Sequence, residues 1–360
     1  MKEYERWNEP PINFGTHPTL HEEGSRILRK LAALSLPVPS WSNGPELKHI
    51  RIIHEDTDDH LKPDISHVIK DLFQAAKDGD HISTTNFVKN GPADHNPVEI
   101  VIKSLMLSGD RPDHIDIEEV THIGALTIPL SGSGLGDVNL LPKQVENDTE
   151  VVYEQRNVTV GKNKKKSITK LLPSWASCLS PIGAITGPHT DYCGCSQLIQ
   201  HIQGRKLWLC WPPTPHNLDI YLRKHHSGCD PFSTEEAIDQ LQGMELLLLD
   251  RKQVCFILPG GTIHAVLTLT RGCHTGLKLC RMEDFEVANR MCKIQSNIMN
   301  HPERLDKNIF ESCQKFFGEL KGELEMWDEL RKKSLNNGRV NEEIYQWILG
   351  SEELIKRYKL

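Results

Sequence analysis

Residues 186–217 read TGPHTDYCGCSQLIQHIQGRKLWLCWPPTPHN, and residues 259–264 read PGGTIH. In the first stretch, His189 and Asp191 are two positions apart, so in an extended strand their side chains point to one face. His264 follows an apolar run and a Pro-Gly-Gly turn, and it joins the pair if its strand lies beside theirs. Two imidazoles and one carboxylate on one side of an octahedral ion leave three positions open. That arrangement suits Fe(II), which must bind a chelating cosubstrate and O2 together.

Signals for short strands surround this motif. They are runs rich in β-branched residues, broken by Gly, Pro and Asn. The runs cover residues 125–130, 151–160, 168–172, 196–202, 207–211, 253–258 and 265–269. A Gln-Gly-Arg sequence between the runs 196–202 and 207–211 predicts a tight turn. The pattern indicates a mostly β core, built as a barrel or a sandwich.

Segments with helical periodicity lie before and after this core in the sequence. Apolar residues recur at helical spacing within 27–34, 65–73, 309–327 and 344–348. We therefore predict an N-terminal helical flank at 1–120, a β core at 121–282 and a C-terminal helical region at 283–360. No internal repeat or low-complexity linker separates them into independent domains.

Composition limits the classes of function. A net charge of −7 argues against a broad basic surface for nucleic acid, which needs many Lys and Arg contacts to phosphates. No run of eighteen apolar residues is present, and the N-terminus lacks the apolar stretch of a signal peptide. We therefore expect an intracellular protein whose ten cysteines are free thiols. The basic run 162–166 is either a nuclear localisation signal or, more simply, a solvated hairpin tip.

Lys206 is a fourth informative residue. It begins an otherwise apolar and aromatic run, LWLCW. A buried ammonium is costly unless it is paired, so the sequence predicts an anionic partner for it.

The stretch 189–217, together with FILPGGTIHAV at 256–266, closely resembles the JmjC domains of the F-box and PHD-finger subgroup of histone lysine demethylases. That subgroup combines a His-x-Asp pair, a glycine turn before a lysine, a Pro-Pro-Thr-Pro-His-Asn segment and Pro-x-Gly-x-Ile-His-Ala-Val. The match spans about residues 186–266, and it is the combination of motifs that is specific. The resemblance implies a cupin-type double-stranded β-helix barrel that uses Fe(II), 2-oxoglutarate and O2.

The resemblance also implies residue roles. His189, Asp191 and His264 fall on the iron ligands of the family. Lys206 falls on the lysine that binds the distal carboxylate of 2-oxoglutarate, and Thr186 on the threonine that hydrogen-bonds the same group. Ile199 departs from the pattern, because relatives usually have a Tyr or Asn there that hydrogen-bonds 2-oxoglutarate.

Three functions follow as expectations. The first is demethylation of methyl-lysine in a protein such as a histone tail. The nucleus is the favoured location, and a cytoplasmic location is also open. The second is stable hydroxylation of a protein or a small molecule, and the third is a scaffold that lost 2-oxoglutarate binding through Ile199. No Cys/His pattern of a PHD finger, zinc ribbon or CxxC module appears, and we expect neither a direct nucleic-acid module nor a membrane partner.

Two further patterns have competing interpretations. Cys273, His274, Cys280 and Cys292 contain zinc-ligand types, but their spacing matches no standard site, and free thiols are favoured. The aromatic residues Phe310, Phe316, Phe317 and Trp327 either pack onto the core or mark a dimer face, since relatives sometimes associate through C-terminal helices.

Overall fold

A computed structural model of the chain describes residues 18–34, 48–53, 83–85, 125–129, 142–163, 166–174, 176–180, 184–226, 232–249, 254–300, 307–334 and 338–358. The helix predicted at 65–73 lies outside these residues. The helix predicted around residues 27–34 is confirmed as Pro18–Ala33.

The described residues form a mixed α/β structure with a large β component. The strands are β1 Arg51–Ile53, β2 Ser83–Thr85, β3 Ala125–Pro129, β4 Val151–Tyr153, β5 Gln155–Asn163, β6 Lys166–Pro173, β7 Ala176–Ser180, β8 Ile185–His189, β9 Ser196–Trp211, β10 Glu245–Leu249, β11 Val254–Leu258 and β12 Ile263–Arg281. The helices are α1 Pro18–Ala33, α2 Lys143–Glu146, α3 Pro215–His226, α4 Thr234–Gln240, α5 Phe285–Met299, α6 Lys307–Lys333 and α7 Gly338–Arg357.

Among the described strands, all but β5 and β6 join one antiparallel sheet. Its main path runs β1-β11-β9-β12-β7-β3-β2, with β10 paired to β9, and with β4 and β8 paired to β12. The short strands β1 and β2 come from the N-terminal flank and pair with β11 and β3. Strands β5 and β6 form a separate hairpin in which Asn163 pairs with Lys166. The described residues of the basic run, Lys162, Asn163 and Lys166, therefore lie at the ends of these two paired strands.

The two longest strands, β9 and β12, organise the sheet. They pair with each other along most of their length, from Ile263 opposite Trp211 to Leu279 opposite Ser196. The predicted turn at 203–205 is instead an irregularity inside β9, where Gly204 has a φ of +91° and the β12 register shifts. A bulge with glycine at positive φ bends a strand without ending its pairing, so the two predicted strands are one.

Alternating side chains give the β9–β12 pair two faces. The first, which we call the site face, contains Lys206, Trp208 and Cys210 of β9 opposite Thr268, Val266 and His264 of β12. An apolar cluster that includes Trp208, Val266, Ile199 and Phe256 lies there. The opposite face contains Leu207, Leu209, Ala265 and Leu267, and it is covered by apolar residues of α1, α3 and α4.

The Pro-Pro-Thr-Pro-His-Asn segment joins the sheet to α3. Thr214 caps the helix, because its hydroxyl accepts the Asn217 backbone N–H at 3.2 Å, and Pro215 takes the first helical position, where no backbone donor is needed. The buried Asn217 side chain donates to the carbonyls of Pro212 and Gln242. The motif therefore ends β9 and turns the chain onto the covered face of the sheet.

The C-terminal helices form a further core. Phe316, Phe317 and Trp327 are buried in a cluster with residues of α5 and α7, whereas Phe310 is 37% exposed. Three of the four aromatic residues thus pack within the chain itself.

Candidate metal centre

His189, Asp191 and His264 come together at one end of the site face. The Asp191 carboxylate lies with Oδ1 3.7 Å from His189 Nε2 and Oδ2 3.5 Å from His264 Nε2, and the ligand atoms all lie within 4.8 Å of one another. The two imidazole rings have centroids 4.1 Å apart. Among the residues that the structure describes, this is the group whose geometry can hold a metal ion.

The sheet register brings these residues together. His189, the last residue of β8, is directly opposite His264 near the start of β12. Asp191 lies just beyond the end of β8, not within an extended strand, and the chain turns at Tyr192, whose φ is +57°. The strand beside β8 is β12, after the Pro-Gly-Gly turn, and not the apolar strand β11 before it.

Hydrogen bonds fix the metal-binding nitrogen of each histidine. His189 Nδ1 lies 2.8 Å from the Gly187 carbonyl oxygen, and His264 Nδ1 lies 3.2 Å from that of Thr262. A carbonyl accepts only, so each Nδ1 carries the proton and each Nε2 keeps its lone pair toward Asp191. Burial, followed by the neighbouring His189, lowers the pKa of His264 to about 4. The lowered pKa favours the neutral His264 imidazole that a metal requires.

Two turns that carry ligands pack backbone to backbone. In the turn 259–262, the Thr262 N–H donates to the Pro259 carbonyl at 3.1 Å, and Gly261 has a φ of +69°, which favours glycine. A Cβ at Gly260 would lie 2.0 Å from the carbonyl oxygen of Gly194, in the loop after Asp191. The close approach requires glycine at residue 260.

Asp284 ties both turns to the end of β12. Its buried carboxylate accepts the Gly260 N–H at 3.1 Å and the Ser196 hydroxyl at 2.5 Å. Arg281 donates from Nε to Asp284 Oδ2 at 3.1 Å and from a terminal nitrogen to Oδ1 at 3.3 Å. This buried network holds the loops on which Asp191 and His264 depend.

Lys206 lies on the site face with none of its surface exposed. Its ammonium donates to the Ser180 hydroxyl at 2.8 Å and lies 2.8 Å from His274 Nδ1. Burial lowers its pKa from the usual 10.5. Within the described part of the chain, no carboxylate lies within ion-pair distance of it. The charge of this buried ammonium is therefore not offset by an anion among the described residues.

Trp208 contacts both the metal-binding group and His274, a partner of Lys206. Its ring stacks on His264, with centroids 5.5 Å apart, and its ring contact with His274, at 5.2 Å, is edge-on. The indole Nε1 is buried without a hydrogen-bond partner in the described structure. Thr186 pairs with Val266, which is also opposite Trp208. The predicted metal and anion sites thus share one face of the sheet.

Ile199 is fully buried in the apolar cluster of that face. It offers no polar atom, as the sequence indicates. Sequence patterns did not assign Ser180, His274 or Asp284 to this site, because they lie outside the motifs and are brought to them by strand pairing or by the turn after β12. Polar residues next to strand ends are a weak signal for Ser180 and Asp284. His274 was considered only as a zinc ligand.

The zinc-ligand types at Cys273, His274, Cys280 and Cys292 do not form a metal-binding cluster among the described residues. His274 contacts Lys206 instead, and Cys280 Sγ lies 3.1 Å from Cys195 Sγ. The nine described cysteines are free thiols, in agreement with the prediction.

No family model matches this chain, and a search of curated proteins finds no match. No helix within the described ranges is both long and apolar enough to cross a membrane.

Proposed function

We propose that this protein is an Fe(II)- and 2-oxoglutarate-dependent dioxygenase of the JmjC type, acting on methyl-lysine in a protein such as a histone tail. The observation that carries the proposal is the arrangement of His189, Asp191 and His264 around one point, with the unpaired buried ammonium of Lys206 on the same face. We infer that the antiparallel sheet closes as the double-stranded β-helix barrel of that family.

The donor set fits the metal. Two neutral imidazole nitrogens and one carboxylate oxygen are the ligands of non-haem Fe(II) oxygenases, and they leave positions open for a cosubstrate and O2. His189 and Asp191 have side chains 35% and 26% exposed, whereas His264 is 2% exposed. The site is therefore reached from the side of His189 and Asp191, with His264 at its buried end.

The residues beside the metal-binding group offer polar groups for a dicarboxylate. Lys206 would bind the distal carboxylate, because its ammonium has no anionic partner among the described residues, and Thr186 would hydrogen-bond the same group. The unpartnered indole N–H of Trp208 would gain an acceptor from a polar ligand. When bound, the metal and 2-oxoglutarate supply oxidation of a carbon–hydrogen bond by O2. The apolar wall of Trp208, Phe256 and Val266 excludes bulk water from this chemistry.

The test is turnover of 2-oxoglutarate by the full chain with Fe(II), measured as succinate formed with and without methylated histone peptides. We expect turnover by the wild type and none by His189→Ala, which should also lose metal binding in anaerobic titration calorimetry. His216→Ala is the matched control, since His216 is exposed at the start of α3, and it should behave as wild type.

Mass spectrometry of the peptides separates the possible products. Loss of a methyl mass with release of formaldehyde supports demethylation, and gain of an oxygen mass moves the proposal to stable hydroxylation. A wild-type protein that retains no metal and turns over no 2-oxoglutarate contradicts the proposal and supports the scaffold alternative. Unchanged metal binding in His189→Ala contradicts the ligand assignment.

A further inference from the structure

His274 of β12 is a buried contact of Lys206 that the proposed function does not explain. The Lys206 ammonium has three N–H donors. One donates to the Ser180 hydroxyl, and a second points to His274 Nδ1, at 2.8 Å in each case. Both acceptors belong to neutral groups. Among the described residues, the third donor has no partner and no carboxylate offsets the positive charge.

The protonation state of His274 follows from its surroundings. Burial, then Lys206, His201 and His264, hold its pKa well below 6.5. The ring is therefore neutral, its Nδ1 accepts from the ammonium, and its proton lies on Nε2. A carboxylate in the same place would orient Lys206 equally well, but it would cancel the charge that a ligand needs.

His274 lies on the same face of the sheet as Ile199, the residue that offers no polar atom to 2-oxoglutarate. Gly276 is opposite Ile199, and His274, two residues earlier, is opposite His201. Since side chains two apart on a strand share a face, His274 and Ile199 share the site face. Trp208 stacks on His264 and makes an edge contact with His274, so one indole contacts both His274 and a residue of the metal-binding group.

We propose that His274 is a positioning residue for Lys206: a neutral acceptor that directs the ammonium toward the distal carboxylate of 2-oxoglutarate and leaves its charge uncancelled. This inference rests on the proposed function, and it makes His274 a determinant of specificity for a dicarboxylate over a monocarboxylate 2-oxo acid.

The experiment measures binding, not turnover, in the full-length protein loaded with Mn(II) under anaerobic conditions. Titration calorimetry gives the dissociation constants of 2-oxoglutarate and of 2-oxopentanoate, which has the same chain length but no distal carboxylate. The ratio of the two constants reports on the distal site alone, because a general disturbance of the fold weakens both ligands.

Three substitutions at residue 274 have different expected results. His274→Leu removes the acceptor and should raise the dissociation constant of 2-oxoglutarate about tenfold, with that of 2-oxopentanoate unchanged. His274→Asn keeps a neutral acceptor and should restore most of the wild-type ratio. His274→Glu places an anion beside Lys206 and should bring the ratio close to one. His216→Asn is the control for the loss of an exposed histidine.

The outcomes distinguish the two proposals. If the wild type binds 2-oxoglutarate tightly and His274→Leu and His274→Glu keep its ratio, His274 has no positioning role and the proposed function stands. If the wild type binds neither ligand, the proposed function fails and the inference fails with it. Should His274→Leu not fold, the ratio measured for His274→Glu decides, since a wild-type ratio in that variant overturns the inference.

Discussion

Gly260 and Gly187 lie beside the candidate metal centre and differ in the space around them. A Cβ on Gly260 would lie 2.0 Å from the Gly194 carbonyl oxygen and 2.8 Å from the carbonyl carbon. Backbone atoms cannot move aside as a flexible side chain can, so one of the two ligand-bearing turns must shift. We expect Gly260→Ala to lower the free energy of unfolding by about 1–3 kcal/mol and to weaken metal binding, as measured by urea unfolding and Mn(II) titration.

Gly187→Ala is the matched control. Nothing lies within 4 Å of its added Cβ, and the Gly187 carbonyl still accepts from His189 Nδ1. The free energy of unfolding should stay within about 0.5 kcal/mol of wild type. Equal losses in the two variants would contradict the close packing of the two turns.

Substitution of Lys206 is expected to raise the free energy of unfolding, in contrast to substitution of Gly260. An unpaired buried ammonium destabilises the ligand-free protein, so Lys206→Met should raise the free energy of unfolding by about 1–3 kcal/mol at neutral pH. The same variant should lose the stabilisation that 2-oxoglutarate gives to the metal-loaded wild type. Thermal and urea unfolding with and without ligand measure both effects. A less stable ligand-free Lys206→Met would show that the ammonium already has a favourable partner.

The difference in unfolding free energy between wild type and Lys206→Met should change with pH in a defined direction. The folded-state pKa of Lys206 lies below the usual 10.5, so above the folded-state pKa and below 10.5 the unfolded chain binds more protons than the folded one. Stability of the wild type therefore rises with pH in that interval relative to Lys206→Met. The advantage of the variant should shrink as the pH is raised toward 10.5.

At the scale of elements, helix α6 reaches the loop that follows Asp191. The buried Glu323 carboxylate accepts the Cys193 backbone N–H and the Cys195 thiol, each at 3.3 Å, and it lies 3.4 Å from the Lys278 ammonium. Burial raises the pKa of Glu323, and the contact with Lys278 opposes that shift. The helix thus supports the metal-binding loop from outside the sheet.

Glu323→Ala leaves the Lys278 ammonium and the Cys193 N–H without their acceptor. We expect a loss of about 3–5 kcal/mol in the free energy of unfolding, together with weaker metal binding, in chemical unfolding and calorimetry. Glu325→Ala is the control on the same helix, because Glu325 is exposed and should change stability by less than about 0.5 kcal/mol. Unaltered metal affinity in a folded Glu323→Ala protein would contradict support of the loop by α6.

Pairing of β9 with β12 is the other decisive relation between elements. It sets Cys210 opposite His264 and Lys206 opposite Thr268, and β8 adds His189 opposite His264. A shift of one residue in this register would turn Lys206 and Trp208 to the helix-covered face. Apolar residues of α1, α3 and α4 on that face oppose such a shift, because it would bury the ammonium among them.

At the scale of the whole molecule, the apolar residues form separate clusters on the two faces of the sheet and among the C-terminal helices. Trp327 lies at the centre of the helical cluster, with none of its surface exposed and with ring contacts to Phe285 and Trp347. We expect Trp327→Ala to cost about 3–5 kcal/mol of unfolding free energy in urea. Phe310→Ala, at an exposed position of α6, should lower the free energy of unfolding far less. A similar loss in both variants would contradict the exposure of Phe310.

The local pattern predicted most of the elements that surround the site. Apolar periodicity predicted the helices α1, α6 and α7, and runs of β-branched residues predicted segments of β3, β4, β5, β6, β9, β11 and β12. Strands β7 and β10 were missed, since their segments lack a clear alternation between turns. Strand β8 was expected as the extended segment of His189 and Asp191, but it ends at His189. The strands β1 and β2 are three residues long, too short for periodicity to be seen.

The sequence by itself determined which residue types can bind a metal and an anion: the His-x-Asp pair, the histidine after a Pro-Gly-Gly turn, and a lone lysine in an apolar run. Those signals are local, because turn geometry and side-chain alternation depend on neighbouring residues. Only the tertiary structure decided that His264 lies opposite His189, that no described carboxylate meets the Lys206 ammonium, and that His274 contacts it. These relations join residues up to 75 positions apart, and they depend on strand register and burial, which no local pattern contains.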